Sequence, residues 1–97
     1  MIQDLPIVTV SVELSNGKKD IFYYPSNIVF NYLQEKDYYL KDFVKLAIES
    51  IDEAQKRVVE KYGYQCIGCY IIKNRLNRWN NEYDKNLVVS VKKINQL

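Results

Sequence analysis

From Ile7 to Leu14 the chain alternates: Val8, Val10, Val12 and Leu14 fall on one side, and Thr9, Ser11 and Glu13 on the other. A period of two marks a strand with one buried face. Ser15-Asn16-Gly17-Lys18 follows, and Asn-Gly accepts the positive φ values of a tight hairpin turn. Lys19 to Tyr24 is then the returning strand, with Ile21 and Tyr23 on one face and Phe22 and Tyr24 on the other. Pro25 lacks an N–H and ends the pairing. Ser26 offers a capping hydroxyl. Ile28, Val29, Tyr32 and Leu33 then stand at helical spacing, which predicts a short helix over 27–34. Glu35-Lys36-Asp37 closes it, and Tyr38-Tyr39 reads as a connection.

The longest periodic segment runs from Leu40 to Tyr62. Phe43, Ala47, Ile51, Ala54, Val58 and Tyr62 recur every three or four residues, and Val44, Ile48 and Val59 widen the stripe to that of a core-facing helix. Gly63 supplies the left-handed residue that commonly ends a helix. A further helix is predicted over 65–80 or slightly beyond, with Cys69, Ile72, Leu76, Trp79 and Tyr83 in register and Ile67 and Ile71 beside them. Asn80 to Asn86 reads as fraying helix and loop. Leu87 to Ile94 returns to strand, with Leu87, Val89 and Val91 on one face, and Asn95-Gln96-Leu97 is a tail.

These elements come in the order ββαααβ. They predict an α+β fold: a three-stranded antiparallel sheet, made of the hairpin and the C-terminal strand, covered on one face by a short helix and two longer ones. With 97 residues and no internal repeat or linker, the expectation is a single domain over 1–97.

Composition narrows the chemistry. There is no histidine, so a Ser-His-Asp triad, a Cys-His dyad and an HExxH zinc site are excluded. The formal charge is +2, too small to argue for a nucleic-acid or membrane partner. The segment Met1-Ile2-Gln3-Asp4-Leu5-Pro6 lacks the basic and apolar regions of a signal peptide, and no run is long enough to span a bilayer. The default expectation is cytoplasmic, with Cys66 and Cys69 reduced. The nine tyrosines fit either codon bias or a partner-binding surface, since tyrosine joins a large apolar area to a polar tip.

Cys66-Ile67-Gly68-Cys69 is a C-x-x-C at a predicted helix start. It admits three readings: buried structural thiols, a redox pair whose first thiol the helix dipole activates, or half of an intersubunit metal site. Lys73, Arg75 and Arg78, near Trp79 and Tyr83, form a small basic and aromatic group of the kind that contacts phosphates, or an ordinary exposed face. Asp42, Glu49, Asp52, Glu53 and Glu60 read as a solvated face neutralised by Lys45 and Lys56. No metal site within one chain and no cofactor is expected.

Several segments together resemble a family. They are Asn16-Gly17; Tyr23, Pro25 and Ser26; Tyr39 followed by Asp42-Phe43-Val44; Ala54, Arg57 and Val58; and Lys61-Tyr62-Gly63-Tyr64-Gln65-Cys66. The pattern resembles small bacterial nitrogen starvation response proteins over residues 8 to 72, most sharply in the Lys-Tyr-Gly-aromatic-x-Cys run. Tyr24 and Cys69 depart from it. The resemblance implies a gene neighbourhood containing a nitrilase, a radical-SAM protein, an acetyltransferase and a flavoprotein. It implies a pathway context and no reaction.

The chain is therefore expected to be a non-enzymatic accessory or protein-interaction module of a nitrogen-metabolism gene cluster. Its partners would be proteins of that cluster or a second copy of itself. Tyr23, Pro25, Ser26, Arg57, Lys61, Tyr62, Tyr64 and Cys66 are the candidate binding residues. Two rivals stand beside it: a small thiol-dependent enzyme or carrier using Cys66, and a weak nucleic-acid binder using Lys73, Arg75 and Arg78.

Overall fold

A computed structural model of the chain describes residues 7–63 and 65–97. Strand β1 is Val8–Leu14 and β2 is Lys19–Tyr24. A five-residue 3₁₀ helix, Asn27–Asn31, follows. Then come β3, Asp37–Tyr39; helix α1, Leu40–Tyr62; helix α2, Ile67–Glu82; and β4, Val88–Gln96. The leader reading falls on residues 1–6 and lies outside the described residues, as does the site residue Tyr64.

The α+β class holds, but its composition is corrected. The sheet has four strands, in the order β2-β1-β4-β3, all neighbours antiparallel. Among the described residues there are two α-helices, because the segment expected as a short third helix makes a single 3₁₀ turn. Ser26 caps it as read, its Oγ accepting the Ile28 N–H at 3.1 Å. Leu33 N–H then reaches back to the Val29 carbonyl at 2.9 Å, and the chain leaves helical geometry before Gln34.

The extra strand is the segment read as a connection. Tyr38 pairs with Val89, between Asp37 opposite Ser90 and Tyr39 opposite Val88. Leu40 N–H to the Leu87 carbonyl (2.7 Å) and Val91 N–H to the Lys36 carbonyl (2.9 Å) continue the ladder at both ends. The C-terminal strand joins β1 on its other side, with a register shift between Ser11 and Val12. Val12 faces Val91 and Ser11 faces Lys93, so Lys92 is the extra residue of a bulge. The bulge changes which residues of β4 face the helices. Val89 and Val91 are buried, and beyond Lys92 it is Ile94, opposite Val10, that packs against the core.

One sheet face carries the core. Val8, Val10, Val12 and Leu14 are at most 3% exposed, joined by Phe22, Tyr24, Val89 and Val91. Helix α2 lies over β2, while α1 contacts α2, β3 and β4. Phe43, Ala47, Ile51, Ala54 and Val58 of α1, and Cys69, Ile72, Leu76 and Trp79 of α2, are buried as their spacing requires. Val59 is not part of that stripe and faces outward. An aromatic group fills one end: Trp79 meets Phe22 edge-on at 5.2 Å and stacks on Phe43 at 6.4 Å, and Tyr38 adjoins Phe43. Among the described residues no helix is long and apolar enough to cross a membrane.

Candidate functional site

The turn from α1 to α2 is built by backbone conformation and one side chain. Gly63 sits at φ 75°, a left-handed cap, and its N–H meets the Val59 carbonyl at 2.8 Å. Gln55 of α1 reaches across the turn. Its Oε1 accepts the Cys66 N–H at 2.9 Å, and its Nε2 donates to Gln65 Oε1 at 3.4 Å. This fixes Cys66 as the cap of α2. The Cys66 Sγ accepts the Cys69 N–H at 3.2 Å, the role a serine oxygen usually fills.

Cys66 is partly exposed and Cys69 is buried. Burial pushes the Cys69 thiol well above the usual range, and its hydrogen bond with the Cys66 thiol adds to the shift. Cys69 lies close enough to Tyr24 for a thiolate there to oppose ionisation of the phenol. Burial is the main cause that pushes Tyr24 up to about 12, against the opposing hydrogen bond from Ser50. The Tyr24 Oη lies 3.1 Å from Ser50 Oγ and 3.4 Å from the Ala47 carbonyl, to which Ser50 donates at 2.7 Å. Polar groups thus lead inward from Cys66 through Cys69 to Tyr24 and Ser50.

The candidate binding residues do not share one pocket. Tyr23 stands on the open face of the sheet, in a groove of about 740 Å³ lined also by Ser11, Glu13, Lys19, Ile21 and Lys92. Ser26 is buried as a cap and Pro25 is partly buried beside it. Arg57 and Lys61 are exposed near the end of α1, with Lys61 Nζ 5.5 Å from the centre of the Tyr62 ring.

The basic group is largely engaged within the chain. Lys73 pairs with Asp52 at 2.8 Å. Arg75 meets Asp20 Oδ1 at 3.2 Å and the Ile21 carbonyl at 3.0 Å, with its guanidinium 4.8 Å from the Phe22 ring centre. Arg78 is exposed and lines a hollow of about 310 Å³ that also holds Asp20 and Glu82, so the cations there face carboxylates. The acidic face gathers Glu49, Asp52, Glu53 and Lys56 around a shallow hollow beside Tyr32. Among the described residues no group of three or more His, Cys, Asp or Glu is placed to hold a metal.

Three exposed residues stand out, two of which, Ile67 and Ile71, the periodicity places beside the core stripe. Ile67, Tyr70 and Ile71 are 75%, 65% and 53% exposed at the start of α2. The signal was present: Tyr70 and Ile71 lie about 130° around the helix from the row of Cys69, Ile72 and Leu76, and Ile67 lies nearly opposite it. Gln55, Ser50 and Asp20 carry no such signal, since a buried or stapling polar residue leaves no periodic trace.

The fold and site define a two-layer α+β protein: an antiparallel sheet with helices on one face and an open opposite face. Residues 9–94 match the family described as nitrogen starvation-induced protein NitG, and the chain belongs to that family. No curated protein and no solved structure matches it.

Proposed function

We propose that the chain is a non-enzymatic protein-interaction module of the nitrogen starvation response. It acts in the cytoplasm on a partner encoded in the same gene cluster. The observation that carries this reading is the outward row of Ile67, Tyr70 and Ile71. These side chains are exposed on consecutive turns of one short stretch of α2, where an isolated exposed apolar residue would be ordinary but a contiguous group marks contact with another molecule. Tyrosine at such a surface supplies apolar area and a polar tip. Arg57 and Lys61 stand at the same end of the helical layer, because the α1–α2 turn joins the two regions.

Nucleic-acid binding through Lys73, Arg75 and Arg78 is the weaker reading, since two of the three cations have intramolecular carboxylate partners. The test is co-expression of the tagged chain with each neighbouring gene product, followed by capture. Capture by the wild type is expected to fall at least about tenfold in Ile67→Glu/Ile71→Glu, corresponding to about 1.4 kcal/mol. A chain that captures none of them and sediments as a monomer throughout overturns the proposal. A homodimer broken by the same substitutions would replace the heterologous partner with a second copy.

A further inference from the structure

Cys66 and Cys69 occupy the cap and the third residue of α2, and both are free thiols. One is accessible and the other is not: Cys66 is partly exposed, whereas Cys69 is 2% exposed. The Cys69 N–H points at the Cys66 sulfur at 3.2 Å, which holds the Cys66 side chain over the first turn of α2. Negative charge developing on the Cys66 sulfur therefore meets a fixed backbone donor. Cys66 is partly open to solvent. A Cβ at position 68 would stand 3.7 Å from the Cys66 sulfur, and Gly68 leaves that space empty. Gln55 holds the Cys66 backbone, so the sulfur is presented from a fixed position.

We propose that Cys66 and Cys69 form a dithiol that closes reversibly to a disulfide by exchange with small-molecule disulfides. Cys66 is the attacking sulfur and Cys69 the resolving one. With glutathione disulfide as co-reactant the step balances. The Cys66 thiolate attacks one sulfur of the oxidant, breaking its S–S bond, and one glutathione thiolate leaves. Cys69 then gives up its proton to solvent and attacks the Cys66 sulfur, and the second glutathione leaves. The protein loses two electrons and two protons, and one disulfide is reduced to two glutathione thiols. Burial keeps Cys69 protonated until the mixed disulfide forms beside it, which separates the two roles. This pair does not depend on the interaction reading, since it uses sulfurs and not the apolar row.

The test equilibrates the full chain in glutathione buffers of increasing disulfide content, traps free thiols by alkylation and reads the adducts by mass spectrometry. The expected product is a monomer with a Cys66–Cys69 bond, returned to two thiols by dithiothreitol. Cys69→Ser should stop at a glutathione adduct on Cys66, while Cys66→Ser leaves Cys69 unmodified. A measurement on the native chain guards against a variant that fails to fold: Cys66 should alkylate at least about tenfold faster than Cys69. Retention of both thiols in fully oxidised glutathione, equal alkylation rates, or disulfides formed only between chains would each overturn the proposal.

Discussion

Arg75 and Asp20 together block the outer edge of the sheet at Ile21. β2 is an edge strand, and such strands offer unpaired N–H and C=O groups to other chains. At Ile21 neither group is free. Its N–H donates to Asp20 Oδ1 at 2.8 Å, and its carbonyl accepts from Arg75 at 3.0 Å. The two side chains meet at 3.2 Å and are each under a third exposed. Arg75→Ala should therefore lower stability by about 1–2 kcal/mol, the range of a charge-assisted bond with its partners left behind. It should also promote edge-to-edge association, read by sedimentation at increasing concentration. Arg78→Ala, at an exposed position three residues on, should stay within about 0.5 kcal/mol of wild type in denaturant melts.

Tyr24 makes stability depend on alkaline pH. Its folded pKa is raised from the usual 10 to about 12, chiefly by burial. The unfolded chain loses this proton near pH 10, while the folded chain keeps it. The contribution is thus complete below the unfolded pKa and disappears as pH rises toward the folded one. Tyr24→Phe removes this dependence. Near neutrality the variant should be about 1 kcal/mol less stable, having lost the hydroxyl contacts. By about pH 11.5 the wild type should have lost on the order of 2 kcal/mol that the variant retains, so the two stability curves cross. Urea melts across that range measure the crossing. Curves that stay parallel would show that the phenol ionises alike in both states.

The periodic elements were readable because their side chains repeat. β1, β2, α1 and most of α2 follow from the spacing of Val, Phe and Leu residues. β3 was hidden because three residues contain no repeat: Asp37 and Tyr39 are exposed and only Tyr38 turns inward, where its ring meets Phe43 at 6.4 Å. Its pairing depends on β4, a segment fifty residues away in the chain. The bulge at Lys92 was equally invisible, since it reverses the facing of β4 without a glycine or proline to mark it. At the site, the C-x-x-C and its helix-capping position could be read locally. The stapling role of Gln55 and the exposure of Ile67 and Ile71 depend on how α1 meets α2, which one helix pattern does not contain.

Gly63 carries a cost that is purely conformational. It sits at φ 75°, where a side chain strains the backbone, yet a Cβ there would meet nothing within 4 Å. Gly63→Ala should cost about 1–2 kcal/mol without any clash. Gly63→Asn should recover part of that, because asparagine tolerates the left-handed region. Equal losses for the two variants in thermal melts would point to contacts of the turn instead of backbone strain.

Trp79 joins the layers. It is buried at 2% exposure, meets Phe22 of β2 at 5.2 Å, stacks on Phe43 of α1 at 6.4 Å, and touches Tyr83 edge-on at 6.2 Å. Lys18 of the hairpin stands 5.9 Å from its ring and donates to the Tyr83 hydroxyl at 3.2 Å. Removing the ring therefore separates β2, α1 and α2 at a common point. Trp79→Ala should cost about 3–5 kcal/mol, a large share of the 5–15 kcal/mol that holds a typical domain together. Trp79→Phe keeps an aromatic contact with Phe22 and Phe43 and should cost less than half as much. Because Trp79 is the chain's one tryptophan, far-ultraviolet circular dichroism replaces fluorescence as the readout. An alanine variant that melts within 1 kcal/mol of wild type would mean the core closes around the gap.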